Sequence, residues 1–349
     1  MRYVASDAGK RLSKIGLGTW QFGAREWGYG KEYADKDAIT IVRRALELGV
    51  TLFDTAEIYS AGNSERILGS ALAGRRDSAF IATKIFPVVP ASSMVTRRAA
   101  ASAKRLGVST LDLYQIHWPN PLIRDATLMR GMRSLQLSGR VGEVGVSAYS
   151  LIRWRVAEEA LGSRVLSNQV EYSLVARSPE LELIPHAEAS GHVIIAFSPL
   201  AQGLLSGRYH GTDRPTGSVR ASSERFAPGN IDKTRHLTRV LREVAEVHNA
   251  SVAQIALAWT IRSPAVVAIP GASSVKQLED NVGAAEIDLA DDEYQALNLA
   301  STQFRPPDLV SESRQLSLAT LKHIARCGIF LSKTVRADRK PEVRSRWAD

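Results

Sequence analysis

A single cysteine, Cys327, serves all 349 residues. That excludes an intramolecular disulfide and any cysteine-based zinc site. No run of eighteen apolar residues occurs, so no transmembrane helix is expected. The opening segment MRYVASDAGKRLSKIG lacks the apolar centre of a signal peptide, which makes the cytoplasm the expected location. The seven histidines fall at no metal-ligand spacing and HExxH is absent, so no metal is expected. Zinc-finger, helix-turn-helix and aromatic RNA-binding signatures are also missing. This last absence matters because the net charge is +9, which by itself points to nucleic acid. Residues 305–349 hold ten Lys/Arg and five Asp/Glu, so about half of that excess lies in the tail and the body is only mildly basic. No nucleic-acid partner is expected.

What the chain does have is 44% hydrophobic residues, enough for a substantial core. Apolar strand-like runs alternate with amphipathic segments at helical spacing. KIGLG (14–18) precedes a helix near 37–48 that Gly49 closes. Strand 50–54 precedes helix 63–73, and strand 79–84 precedes helix 92–106 with Ser92 or Ser93 as N-cap. Strand 111–117 leads to helix 125–138, strand 141–147 to helix 150–161, and strand 165–170 to helix 179–190. Strand 192–197 opens a long connection, with 205–231 read as a loop rich in Gly, Pro, Ser and charge. Strand 265–269 then meets helix 274–284. Eight such units imply a parallel sheet. The expected fold is a single (β/α)8 barrel over 1–304, which routinely reaches this length.

Four polar residues stand at or just past the ends of these apolar runs. Asp54 and Tyr59 lie in FDTAEIYS (53–60), Lys84 ends FIATK (80–84), and His117 ends LDLYQIH (111–117). In a parallel barrel the strand ends gather on one face, where such folds keep their chemistry. A phenol has a reference pKa of about 10, and a nearby ammonium favours the phenolate. Tyr59 as general acid, Lys84 as tuner, Asp54 as anchor of Lys84 and His117 as substrate orienter form a proton-delivery unit. It suits protonation of an oxygen that becomes an alkoxide, with hydride transfer as the matching half-reaction. Taken singly, a buried Tyr or a strand-end Lys is usually packing or a salt bridge. The joint pattern carries the reading.

The words around these residues resemble the aldo-keto reductase superfamily. The matches are GLGTW (16–20), FDTAEIYSAGNSERILG (53–69), ATK (82–84), DLYQIHWP (112–119), VGEVGVSAYS (141–150), NQVEYS (168–173), FSPLAQGLLSG (197–207) and IPGASSVKQLEDN (269–281). They run through roughly residues 10–300 in the family's order. The resemblance implies an NADPH-dependent reductase of a small carbonyl substrate, with NADH possible.

A hydride donor must be a bound cofactor, since no side chain supplies one. No GxGxxG follows any strand, so a Rossmann domain is not the expected holder. A barrel offers instead the loops after strands seven and eight. Phe197 offers an aromatic face to the nicotinamide, and Ser198, Leu200, Gly203 and Leu204 offer donors to the pyrophosphate. Gly271, Ala272 and Ser273 open the last barrel helix. By resemblance, Gln277 and Asn281 face the adenine; Ser147, Asn168 and Gln169 lie at strand ends, with Ser147 and Gln169 placed to hold the carboxamide, and Gly18, Thr19, Trp20 and Asp54 also lie along the cofactor. Many relatives carry Asn where this chain has Ala148. Many NADP-preferring relatives carry Arg or Lys in the strand-eight loop, where this chain has Ser273 and Lys276 to meet the 2′-phosphate. Trp20, Trp27, Tyr29 and Trp118 are expected to wall the substrate pocket. Arg220 and Arg225 either meet an anionic group or lie on a solvated surface.

The basic extension 305–349 goes beyond the matched words. Leu318, Leu321, Ile324 and Ala325 at helical spacing predict a helix within 311–332, followed by a polar, disordered end. It is expected to cover the substrate opening, to meet a membrane or partner, or to pack on the barrel's side. The resemblance leaves a second function open: the fold also occurs as the cytoplasmic β-subunit of potassium channels, a regulatory NADPH-binding module. Oligomeric state and physiological substrate are not legible.

Overall fold

The computed structural model describes residues 1–304 apart from 6–8, 32, 89–90, 210–214, 216–219, 221–222 and 303. The expected extension 305–349, with its helix over 311–332, lies outside the described residues.

Two short strands come first and pair antiparallel, β1 (Tyr3–Ala5) with β2 (Arg11–Ser13). The sequence reading had not separated this hairpin. It covers the N-terminal end of the barrel. Leu12 enters the interior cluster, and the Thr51 hydroxyl, just before the second barrel strand, donates to the Arg11 carbonyl at 2.7 Å. Eight parallel strands follow in chain order: β3 (Leu17–Gly18), β4 (Leu52–Asp54), β5 (Phe80–Ile85), β6 (Leu111–Ile116), β7 (Val141–Ser147), β8 (Ser167–Glu171), β9 (Val193–Phe197) and β10 (Val266–Ala268). The first and last of these close on each other. Gly16 N donates to Ala268 O at 2.7 Å, Ala268 N to Lys14 O at 2.8 Å, and Gly18 N to Pro270 O at 3.1 Å. A Cβ at Gly18 would stand 2.8 Å from the Ile269 carbonyl, so this seam requires glycine.

Period-two alternation sorts each strand into an inner and an outer face. Leu52, Phe80, Ala82, Leu113, Leu166, Val193, Ile195 and Val267 fill the interior. Continuing the same alternation toward the C-terminal ends brings Asp54 above Leu52, Lys84 above Ala82, and Gln169 above Ser167. The barrel is therefore apolar below and polar above. The outward residues, such as Ile81, Ile85, Val144, Val146 and Ile194, form the second core beneath the helices.

Those helices are α1 (Asp35–Glu47), α2 (Asn63–Ala71), α3 (Ser92–Leu106), α4 (Asp125–Leu137), α5 (Leu151–Leu161) and α6 (Leu183–Ser190), each after its strand. Helix α3 begins at Ser92 with Ala91 at the N-cap and no side-chain cap, so neither Ser92 nor Ser93 caps it. Helix α6 starts four residues later than expected. Pro185 inside a helix from 179 would remove a hydrogen bond and clash, whereas a start at Leu183 puts it in the first turn. Much of the segment read as a loop over 205–231 lies outside the described residues, and its described ends hold short turns. A 3-10 stretch spans Ala201–Ser206, another Glu224–Phe226, and helix α7 is Pro228–Lys233. Then come α8 (Arg235–Val247) and α9 (Val252–Thr260) before β10, and α10 (Val275–Gly283) and α11 (Asp291–Thr302) after it. Among the described residues no helix is long and apolar enough to cross a membrane.

Candidate active site

Lys84 is fully buried, and its ammonium is surrounded by oxygen. It donates to Asp54 Oδ1 at 2.5 Å and to the Thr55 carbonyl at 2.9 Å, and lies 3.4 Å from the Tyr59 hydroxyl. Asp54, also buried, accepts at its other oxygen from Gln169 Nε2 at 2.8 Å. The Thr19 hydroxyl fixes the Asp54 carbonyl at 2.9 Å and shares a 2.7 Å contact with Ser64. Tyr59 opens a short 3-10 turn after β4 in which Ser60 and Ala61 take left-handed backbone angles. Those angles are uncommon for residues with a Cβ and turn the chain sharply beside the site. His117, one residue past β6, lies edge to face with Tyr59, ring centroids 5.6 Å apart. Three of the four predicted residues are joined by hydrogen bonds, and the fourth lies beside the phenol.

Burial is the largest influence on both ionisable partners of this chain. It raises Tyr59, and Asp54 raises it further. Lys84 pulls the other way without prevailing, so the phenol sits above its ordinary value. Burial opposes the charge on Lys84, but Asp54 and Tyr59 outweigh it, and the ammonium is held above its ordinary value. Lys84 thus acts on the phenol in the expected direction, and burial with Asp54 outweighs it. Both groups keep their protons at neutral pH, the state needed for donating one.

Around the phenol stands an aromatic wall. Trp20 lies 6.4 Å from Tyr59 and 5.1 Å from Trp27, and Trp118 packs on His117 at 4.5 Å and on Phe86 at 5.0 Å. Tyr29 packs instead on Tyr33 at 5.2 Å. The Arg220 guanidinium lies 5.0 Å from the Trp27 ring centroid and donates to the Gln202 carbonyl at 2.9 Å. Arg225 is paired with Glu171. Neither arginine is simply a solvated surface group.

The residues expected along a dinucleotide divide into two kinds. Ser147 and Gln169 are in register on neighbouring strands, both buried. Asn168 points the other way in the alternation and straps the turn after β7: its Nδ2 donates to Tyr149 O at 2.8 Å. Phe197 and Ser198 lie half-buried at the end of β9, and Ser198, Ala201 and Gln202 have positive φ, followed by Gly203. The Gln202 Oε1 is buried with no hydrogen-bond partner among the described residues. After β10, Ser274 caps α10 by accepting from Gln277 N at 3.2 Å. Ser273 donates through its nitrogen and its hydroxyl, both at 3.0 Å, to Gln277 Oε1, and Lys276 is exposed beside them. Asn281 donates to the Gly271 carbonyl at 3.3 Å, tying helix to loop. Sequence reasoning missed Gln21, whose amide bridges Gly18 O and Ala272 O at 3.2 and 2.9 Å, and Phe86. Neither carries a local sequence signal; only closure of the barrel brings Gln21 to the last loop.

The model of the aldo/keto reductase family matches residues 14–301. An uncharacterised oxidoreductase of Mycobacterium tuberculosis is 50% identical over 326 residues, which are 93% of this chain and all of that one. Among solved structures, glycerol dehydrogenase from Gluconobacter oxydans superposes with a TM-score of 0.79 at 27% identity, covering 88% of this chain and 98% of its own. An aldo/keto reductase from Klebsiella pneumoniae, solved with NADP and acetate, superposes with a TM-score of 0.70 at 26% identity, covering 88% and 96%. With the family model spanning nearly the whole barrel and a half-identical relative along its length, the chain belongs to the aldo/keto reductase family.

Proposed function

We propose that this protein is an NADPH-dependent reductase that converts an aldehyde or ketone to an alcohol, with Tyr59 as the general acid. Membership of the family makes it an NAD(P)H-dependent oxidoreductase. The observation that carries the finer reading is the buried Asp54–Lys84–Tyr59 chain, with a protonated phenol at its outer end beside His117.

The upper rim fits a dinucleotide. The backbone at Gly271 runs so close to Gln21 that a Cβ would meet its amide at 2.9 Å, leaving a side-chain-free surface at the head of α10. A helix N-terminus favours phosphate. Ser273 and Lys276 stand at that terminus, and Ser198, Leu200, Gly203 and Leu204 form the strained turn across from it. Ser147 and Gln169 are the residues to hold a carboxamide, Phe197 the one to cover a ring, and Gln277 and Asn281 flank the far end. Gly18, Thr19 and Trp20 line the seam between them. When bound, the cofactor supplies the hydride. The Klebsiella relative carries NADP, which supports the choice of nucleotide.

The chain's own residues do the rest. Trp20, Trp27 and Trp118 exclude water and orient an apolar carbonyl compound. His117 and Tyr59 flank its oxygen. As negative charge grows on that oxygen, Tyr59 Oη donates its proton. The Lys84 ammonium stabilises the phenolate left behind, and Asp54 keeps Lys84 charged and in place.

The test is a fluorescence titration with NADPH and NADH, followed by oxidation of the bound nucleotide with 4-nitrobenzaldehyde. Wild type should bind NADPH and turn over. Tyr59→Phe should bind equally well while kcat falls by about 10²–10⁴. Wild-type kcat in that variant would sink the assignment. Tight binding without turnover over a panel of carbonyls would favour a regulatory module.

A further inference from the structure

Below the barrel, at the opposite end from Tyr59, three side chains from three elements converge. Glu158 stands in the last turn but one of α5, His186 in the middle of α6, and His192 just before β9. Each offers one ligand atom, and these atoms all lie within 4.8 Å of one another. The two imidazole rings are stacked, centroids 5.2 Å apart and 27° between planes, and both pack edge-on against Trp154. His192 is 7% exposed, and its Nε2 lies 2.8 Å from Glu158 Oε1. The same oxygen accepts from Val165 N at 3.0 Å. Two buried ring nitrogens, His186 Nε2 and His192 Nδ1, have no hydrogen-bond partner among the described residues.

We propose that Glu158, His186 and His192 form a binding site for one divalent transition-metal ion, with zinc as the fitting ion. Two imidazoles and a carboxylate are a zinc donor set, the fourth position being left to water. Zinc–ligand bonds of about 2.0–2.2 Å put tetrahedral donors roughly 3.3–3.5 Å apart. Donors already within 4.8 Å reach that spacing by rotation of rings and a carboxylate, with no backbone movement. The 2.8 Å contact between His192 Nε2 and Glu158 Oε1 marks the place an ion would take. Zinc replaces the shared proton and is held by Nε2 and the carboxylate together, with His186 turned toward it. This geometry requires all three residues. The half-buried His186 and Glu158 give an ion access from solvent.

Packing around Trp154 alone is the plainer account, and it fails on one point. Aromatic contact leaves the buried His186 Nε2 without a hydrogen-bond partner among the described residues, and native interiors rarely tolerate that. An ion here clips α5 and α6 to the foot of β9, the strand whose other end carries Phe197.

The experiment is calorimetric titration of ZnCl₂ into the full chain after chelator treatment, with Co²⁺ absorption as the coordination probe. One equivalent should bind, and bound Co²⁺ should show the intense visible bands of a four-coordinate site. His186→Ala and Glu158→Gln should each weaken binding at least about tenfold. His236→Ala, at a half-buried histidine of α8 remote in sequence from the three, should not change it. His192 is left intact because losing its packing on Trp154 would mix folding with binding. No binding up to about 1 mM zinc would overturn the proposal, as would unchanged affinity in both variants.

Discussion

Replacing Lys84 with Met tests the central pair where its energetics are largest. The two side chains are 0% and 3% exposed and 2.5 Å apart. Met fills a similar volume but leaves the Asp54 carboxylate buried, with Gln169 Nε2 as its remaining side-chain donor. Removing one partner of such a pair costs about 3–5 kcal/mol, because the other charge is stranded out of water. Unfolding entropy of about 2.1 cal/mol/K per residue over roughly 300 barrel residues converts that to a Tm drop of about 5–8 °C. The assay is thermal and urea unfolding of both proteins in one buffer. Adding Asp54→Asn to Lys84→Met removes the stranded charge and should recover more than half of the lost Tm, while activity stays low because the phenolate has no cation beside it. A Lys84→Met protein melting within about 1 °C of wild type would refute the reasoning: the pair would not then be the buried, interdependent unit described.

The remaining predictions concern the phenol and one strained residue. Because burial and Asp54 raise Tyr59, the acid stays loaded as pH rises. Reductive kcat should therefore be flat from pH 7 to about 10, the ordinary phenol value, and fall only above it; a loss with a midpoint below pH 9 contradicts the raised phenol. Lys84, raised as well, adds no titration in that window. Ala148 is exposed and holds φ +56° at the end of β7, a left-handed angle that costs a residue with a Cβ about 1–2 kcal/mol and that Asn tolerates better. Ala148→Asn should thus raise Tm by about 1–2 °C and tighten NADPH binding through its new amide; a lower Tm would show that the alanine is not strained. Tyr149→Phe removes the 2.7 Å donation to Asp125. It should cost about 1–2 kcal/mol, read by urea unfolding, with Arg153 still paired to Asp125 and kcat unchanged.

Strand order and the gathering of Asp54, Tyr59, Lys84 and His117 were legible because each follows from a local rule. Apolar runs with helical segments between them make parallel strands, and polar residues just past those runs land on one face. Helices α8, α9 and α11 have no such local marker: the first two come between β9 and β10 with no strand between them, and α11 follows the last strand–helix unit. The Asn168 side chain shows where a motif word misleads: the word NQ names two neighbours, but period two sends one inward to Asp54 and the other outward to Tyr149.

Alone, the sequence determined the barrel, the family resemblance and the gathering of four polar residues on one face, because these depend on periodicity and on residue types at strand ends. The tertiary structure decided what depends on several distant groups at once. The phenol is raised, not lowered, since burial and Asp54 act on it together with Lys84. Gln169 braces Asp54 across 115 positions. Glu158, His186 and His192 meet although no ligand spacing links them in the chain, because a helix, the next helix and a strand foot share one corner of the barrel. Spacing along the chain carries no record of such meetings; only the closed packing of the elements creates them.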